Sequence, residues 1–450
     1  MTIIDEDHSM SLRYRYGELL SIGIVILMGL LLPSFADAVP AFARQMDTTC
    51  ETCHYQHFPL LKAFGRAFKA SGFTMTSRKT IDSDHLSFPE TLNAALFTNI
   101  RYQSSNGQKP LPTDNPSRNS NNGEWIIPGE TSLFIGGRIS ENMGALLEGD
   151  VGGAGTAAGS SSPFLASLKL PFMYSVGKGV NLGVVPFSAG LGPAYAFEML
   201  NTGAVGNHLI TLVHPTAVSA QQYIQVGPAT NGYGGDAEGM GFVAVSSDFF
   251  VTLAKWSPNH LPIDAGGSSA PMSSDYARIA VMPQFKGWDL GFGAQYFGGR
   301  SSIADSGALT PVRTEAYAVD AQAQGTVGSM PLGVYLSYAS APATKSGQTT
   351  NLYNQNPNSA RAISIVMELG AFSDGRGTLQ LAYRSANDGV DTYGKDNAVT
   401  AGITYLPWYN VQLSLLETWY SGGAHSAVQG NLDASGTGDQ LTSVNLAVGF

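Results

Sequence analysis

The segment 378–384 reads TLQLAYR, and its side chains change character at every step. Leu379, Leu381 and Tyr383 fall on one face of an extended chain, with Gln380, Ala382 and Arg384 on the other. Strict alternation of this kind marks a β-strand with one apolar and one polar face. The pattern recurs at 131–139, TSLFIGGRI, where Leu133, Ile135 and Ile139 oppose Ser132, Gly136 and Arg138. In LLEGDVG, 146–152, Glu148 and Asp150 go to the same side. A soluble sandwich shows such alternation too, so the pattern establishes strands without choosing an architecture.

Connection lengths make that choice. Strands are predicted at about 92–103, 131–139, 145–152, 164–176, 180–190, 240–246, 249–256 and 275–285. They continue at about 290–299, 312–325, 331–340, 360–372, 378–386, 397–407, 411–421 and 441–450. That makes roughly sixteen, an even number as bacterial barrels require. The joins alternate between short ones, such as GKG, SSD and PWYN, and long ones, such as SSNGQKPLPTDNPSRNSNNGEW and GGAHSAVQGNLDASGTGD. Short turns on one side and long loops on the other predict an all-β membrane barrel of about sixteen antiparallel strands over 91–450. Pro171 and Pro186 fall inside proposed strands and count against those boundaries, because proline cannot donate to a ladder. Trp256, Trp288, Tyr405, Trp408, Trp419 and Tyr420 lie near strand ends and are expected to form interfacial girdles. SVNLAVGF, 443–450, closes on Phe450 with Val444, Leu446 and Val448 on the same face, and resembles the terminal targeting signal of bacterial outer-membrane proteins.

Composition agrees. Charged residues make up 13% of the 450, against about a quarter in ordinary domains, and glycine reaches 53. With a formal charge of −10, the chain is neither a helical membrane bundle nor a basic nucleic-acid binder. Arg13 and Arg15 precede the apolar run SIGIVILMGLLL, and Ala36-Asp37-Ala38 gives a small-x-small cleavage site, so 1–38 is expected to be a secretory signal peptide.

Between the signal and the barrel stands CETCH, 50–54, with the only two cysteines of the chain. Cys-x-x-Cys-His is the attachment site for c-type haem: Cys50 and Cys53 form the thioethers and His54 ligates the iron from the proximal side. No second Cys/His pair completes a zinc site, and no thioredoxin-like pattern follows. Residues 39–90 are expected to form a small helical cytochrome unit. Its main helix would start at Pro59, carry Leu61, Phe64 and Phe68 along one stripe, and stop at Gly72. A unit this small needs haem and a neighbouring domain to complete its core. Met75 is the expected distal ligand, with Met46 and His85 as alternatives; His57 follows one turn after His54 and suits a polar neighbour better than an opposite ligand. Arg66 and Lys69 are candidates for contacts to the haem propionates, or for a solvated helix face.

A single haem outside the barrel cannot serve both sides of a hydrocarbon core about 25–30 Å thick, because electron tunnelling weakens steeply with distance. Inside the lumen it is open to approach from both rims, so the unit is expected to plug the barrel, held by inward Arg138, Glu148, Asp150, Asp320 and Arg384. The connection 191–239 contains NHLITLVHPTAV, too apolar for a solvated loop, and is expected to fold inward as well.

On PAFARQ, CETCHYQHFPLLKAFGRAFKASGFT, the barrel that follows and the terminal Phe450, the chain resembles the monohaem outer-membrane cytochrome–porin fusions of iron-oxidising bacteria. The resemblance implies an outer-membrane conduit that takes electrons from an extracellular donor, Fe(II), through one covalent haem c to a periplasmic cytochrome. Cys50, Cys53 and His54 carry over directly; distal and iron-binding residues do not. His208, His214, His260 and His425, all on long connections, are candidates for docking a metal donor. Two rival readings are a porin whose haem unit is a structural plug or gate, and a haem peroxidase with an open distal site.

Overall fold

The computed structural model describes residues 40–84, 86–106, 123–153, 165–190, 192–202, 219–226, 235–259, 270–305, 308–372, 375–392, 394–423 and 439–450. The proposed signal, His85 and the four loop histidines lie outside them.

Strands run Ala94–Ser105, Glu124–Arg138, Gly144–Gly153, Leu165–Lys169 with Phe172–Gly177, Val180–Ala189, Ala237–Val245, Phe249–Ser257, and Ser274–Val281 with Gln284–Phe285. They continue as Trp288–Asp305, Ala308–Arg313 with Ala316–Val327, Met330–Ala341, Ala360–Gly370, Gly377–Asn387, Lys395–Trp408, Val411–Ser421 and Gln440–Gly449. Three of these strands are interrupted once; counted whole, they form a closed antiparallel barrel of sixteen strands among the described residues. The ring closes where the last strand pairs with the first, Leu441 opposite Ser105 through Gly449 opposite Phe97. Backbone bonds between Leu96 and Phe450, at 2.7 and 2.9 Å, finish the seam.

The alternation read in 378–384 sorts as expected. Leu379, Leu381 and Tyr383 are 42, 53 and 45% exposed on the outer face, while Gln380, Ala382 and Arg384 are buried in the lumen. Leu253, Ile279, Phe292, Val319, Ile363, Ile403 and Leu415 continue the apolar outer surface around the ring. So continuous an exposed apolar belt is stable against lipid rather than water, and strands of about ten residues are long enough to cross at a tilt. Two expected girdle members belong elsewhere. Trp256 and Tyr420 share inward parity with Phe250, Ala254 and Leu416 and are buried in the lumen, whereas Trp419 points out.

Short turns share one rim. Lys178-Gly179 and Lys286-Gly287 are two-residue hairpin loops with φ positive at both positions, the mirror-image turn whose twist suits a β-hairpin. The two prolines behave differently. Pro171 breaks its strand between Lys169 and Phe172. Pro186 stays inside Val180–Ala189, opposite the gap left by that break, where its carbonyl accepts the Leu170 N–H at 3.0 Å.

The segment before the barrel is less helical than expected. Short helices cover Ala41–Met46, Cys50–Cys53 and Ala63–Ala70, and Thr80–Ser83 pairs with Leu86–Pro89 as a hairpin. The main helix starts at Ala63 rather than Pro59 because 55–60 is a tight loop, closed by Tyr55 N–H to Leu60 C=O at 2.8 Å. That loop drives Leu60 into a buried cluster with Tyr335, Val366, Ala382 and Leu416 of the barrel wall. Tertiary burial of one leucine overrides the local helical pattern. The stop at Gly72 holds, with φ +72°.

Candidate functional site

Cys50 and Cys53 open and close a single helical turn, so both thiols lie on one side of it; both are free and half-buried. Burial pushes both thiols up from their ordinary pKa. Gly65 lies against this turn so tightly that a Cβ there would come 2.4 Å from the Cys53 carbonyl oxygen. The backbone leaves the helix at His54, whose N–H bonds to the Cys50 carbonyl at 2.9 Å. The His54 ring then turns so that Nδ1 donates to the Leu60 carbonyl at 3.1 Å. That bond fixes the tautomer and leaves Nε2 with its lone pair free. Burial also holds the ring neutral, its pKa lowered to about 4. A neutral imidazole with Nδ1 anchored on a carbonyl, beside two thiols one turn apart, is the donor set that a covalent haem requires.

The loop that carries this set is fastened to the lumen wall at the short-turn rim. His57 is buried, with Nδ1 donating to Phe58 O at 2.8 Å and Nε2 3.0 Å from both oxygens of Glu368. With both ring nitrogens donating, this imidazole is a cation paired to the wall and not a metal ligand. Gln380 donates to Glu368 at 2.6 Å from the next strand. Tyr55 Oη donates to Gly325 O at 2.7 Å, and Arg66 Nη2 to Asp289 at 2.5 Å. Leu61 and Asn201 exchange two bonds, 2.7 and 3.2 Å. On the opposite flank Gln45 donates to Phe73 O and Met75 O, and accepts from Asn93 and the Arg138 backbone.

Of the sequence candidates, Cys50, Cys53 and His54 are brought together, and Arg66 is bonded to Asp289. Lys69 is on the same helix with its ammonium buried, which lowers its pKa to about 8 although Glu198 opposes the shift. Met46 and Met75 both lie on the Gln45 side, half-buried. Among the inward charges proposed to hold the plug, Arg138 does so, donating to Ser87 Oγ and Thr74 O. Asp320 and Arg384 serve other contacts, with Arg278 and Asp396. Glu148 accepts from Ser167.

Above this segment the described parts of the connection between Ala189 and Ala237 lie inside the barrel, whereas NHLITLVHPTAV, on which the expectation of an inward fold rested, lies outside the described residues. Pro193, Ala194 and Ala196 of one short turn and Ala220, Gln221, Tyr223 and Ile224 of the helix Ala220–Val226 are buried inside the barrel. Arg278 is the centre of their attachment. It reaches Glu198 of the inward segment at 2.9 and 3.2 Å and Asp320 of the wall at 2.6 and 3.0 Å. Thr202 completes the set by donating to Asp320 at 2.6 Å. Nearer the long-loop rim, Trp256, Tyr276, Phe297 and Tyr353 form one buried aromatic cluster. Sequence reading missed Glu368 and Arg278, although both sit at inward parity in strands it had found.

No family model and no curated protein matches the chain. Among solved structures it is similar to Salmonella typhi OmpF in complex with daunomycin, at 14% identity and TM-score 0.48, over 82% of this chain and 100% of that one. The outer-membrane channel DcaP of Acinetobacter baumannii matches at 8% identity and TM-score 0.44, over 83% and 100%. Outer-membrane-expressed OmpT of Vibrio cholerae matches at 10% and 0.42, over 83% and 100%.

Proposed function

We propose that the chain is a plugged barrel of the bacterial outer membrane that carries one haem c on its N-terminal segment and passes electrons across the membrane. The single observation that carries this reading is the His54 Nδ1–Leu60 contact at 3.1 Å, which fixes the tautomer of the imidazole that directly follows the Cys50–Cys53 turn. Bound there, haem supplies a one-electron redox centre. The remaining work falls to the protein. Cys50 and Cys53 tie the cofactor covalently, so that it is not lost to the medium. His54 supplies the proximal nitrogen. His57–Glu368 and Arg66–Asp289 fix the carrier loop to the wall, which keeps the redox centre inside the lipid-embedded ring.

The donor is extracellular, with Fe(II) the proposed one, and the acceptor is a periplasmic cytochrome at the short-turn rim. Each Fe(II) gives up one electron and remains outside as Fe(III), so an insoluble product never crosses the membrane. Among the described residues no three His, Cys, Asp or Glu gather as a metal site, and His208, His214, His260 and His425 lie outside those residues.

A second reading, a porin in which the N-terminal segment is a structural plug or gate, is favoured by the inward fold of Pro193–Ala196 and Ala220–Val226. One experiment separates the two. Full-length protein is reconstituted in vesicles enclosing a soluble cytochrome, and Fe(II) is added outside. The conduit reading expects haem absorbance to change within the mixing time course, followed by the enclosed cytochrome, with little ion conductance. Conductance without reduction of the enclosed cytochrome sinks it in favour of the porin.

A further inference from the structure

We infer that the inward face of three adjacent strands, Ala94–Ser105, Gln440–Gly449 and Val411–Ser421, is the cradle for the carboxylate edge of the haem; the inference rests on the haem reading above. Six polar atoms there are buried without a hydrogen-bond partner: Asn99 Oδ1, Arg101 Nε, Gln412 Oε1, Ser443 Oγ, and both Oδ1 and Nδ2 of Asn445. They form one patch. Asn445 is opposite Arg101, while Ala447 is opposite both Asn99 and Gln412, and Ser443 is two residues along from Asn445. Buried polar groups left unpaired are costly, and a contiguous set points to a missing polar partner. Other parts of the lumen wall are satisfied by cross-strand pairs, as in Thr400–Thr418 at 2.9 Å, Thr404–Ser414 at 3.1 Å and Gln380–Glu368 at 2.6 Å. Where atoms of Asp289, Gln322 and Gln324 also lack a partner, the same side chains are bonded through their other polar atom.

Two aromatic rings lead from the attachment motif toward the patch. The Phe58 ring lies 5.3 Å from the His54 ring and 6.1 Å from that of Phe97. Phe97 precedes Asn99 and Arg101 on the same row of the same strand. The chemistry suits a carboxylate pair. A guanidinium meets a carboxylate in a fork, Ser443 and Asn445 add an O–H and an N–H, and the Asn99 and Gln412 amides present N–H groups after a half turn. Glu124 and Glu130 lie close to Arg101 but accept from Gln103 and Ser132, at 2.9 and 3.1 Å, and not from Arg101 Nε.

The test uses full-length, haem-loaded protein in detergent, read by redox titration and by the propionate bands of resonance Raman. A nearby positive charge favours the reduced haem, so Arg101→Gln should lower the midpoint potential. At the parent midpoint the reduced-to-oxidised ratio should fall severalfold, with the propionate bands shifted. Arg101→Lys should restore part of the change, and Asn445→Leu should act in the same direction more weakly. Arg361→Gln, the same change of charge on the exposed outer surface, should move neither readout. If Arg101→Gln does not fold, Asn445→Leu decides alone. A folded variant with unchanged potential and bands overturns the cradle and leaves the haem reading standing. Absence of covalent haem in the parent overturns both.

Discussion

The Nε2 of His57 lies 3.0 Å from both carboxylate oxygens of Glu368, joining the motif loop to the barrel wall through a fully buried ion pair. Burial alone would lower the His57 pKa, but the Glu368 charge and its hydrogen bond outweigh it and the net shift is upward. A group whose folded pKa is raised stabilises fully below its unfolded value and loses that contribution as pH rises through the folded one. Attachment of the loop should therefore be complete below about pH 6.5 and weaken at higher pH. Thiol-labelling rates at Cys50 and Cys53 in haem-free protein should rise across that window. In His57→Gln they should rise only as the thiolate fraction does, about tenfold per pH unit, without the additional increase of the parent; a variant with the parent's full pH dependence would assign the effect elsewhere.

Removing one partner of a buried pair leaves the other uncompensated, which costs about 3–5 kcal/mol. Glu368→Ala should reach that range, because Gln380 then loses a bond as well. The loss should show as lower thermal stability of the N-terminal segment, with the barrel's strand signal retained. Simultaneous loss of both would mean that plug and ring unfold as one unit.

Arg278 makes a parallel case in the upper lumen. Among the described residues it is the cation ion-paired to both Glu198 and Asp320, and Arg278→Met should release the inward segment at a cost of about 3–5 kcal/mol. Gly293 provides its space: a Cβ there would come 2.1 Å from the guanidinium. Gly293→Val should therefore reproduce the phenotype without touching a charge. Protease cleavage between residues 192 and 202 in folded protein reports on both variants.

Gly65→Val should disturb the motif itself, because its side chain meets Cys53 O, a backbone atom with no freedom to retreat. The expected outcome is faster labelling of both thiols in haem-free protein, with barrel stability unchanged. Labelling at the parent rate would show that the helices can separate without consequence.

How much of this was legible in the sequence follows from period and distance. Alternation in 378–384 and the sorting of loops by length depend on neighbours along the chain, and they gave the barrel and nearly every strand. CETCH is equally local. The partners of His57 and Arg66 lie 311 and 223 residues away, and no periodicity connects them. Parity shows that Glu368 and Arg278 face inward, but not what they meet there. The helix expected from Pro59 failed for the same reason: Leu60 found its burial among wall residues more than 270 positions distant.

The same parity argument makes a last prediction about two tryptophans. Trp256 and Trp419 looked alike in the sequence, each aromatic near a strand end, yet Trp256 is fully buried in the lumen and Trp419 is 45% exposed on the outer face. Variants in which the other tryptophans are replaced by phenylalanine, leaving either Trp256 or Trp419, should separate them in vesicles of brominated lipid. Bromine quenches only on close approach, so Trp419 emission should fall strongly and that of Trp256 very little. The aromatic contact of Trp256 with Tyr353, ring centroids 6.4 Å apart, holds it away from the bilayer. Equal quenching of the two would mean that the strand Phe249–Ser257 presents its other face to lipid. A one-residue slip of that kind would turn Phe250 and Thr252 outward as well, and the barrel register would have to be redrawn.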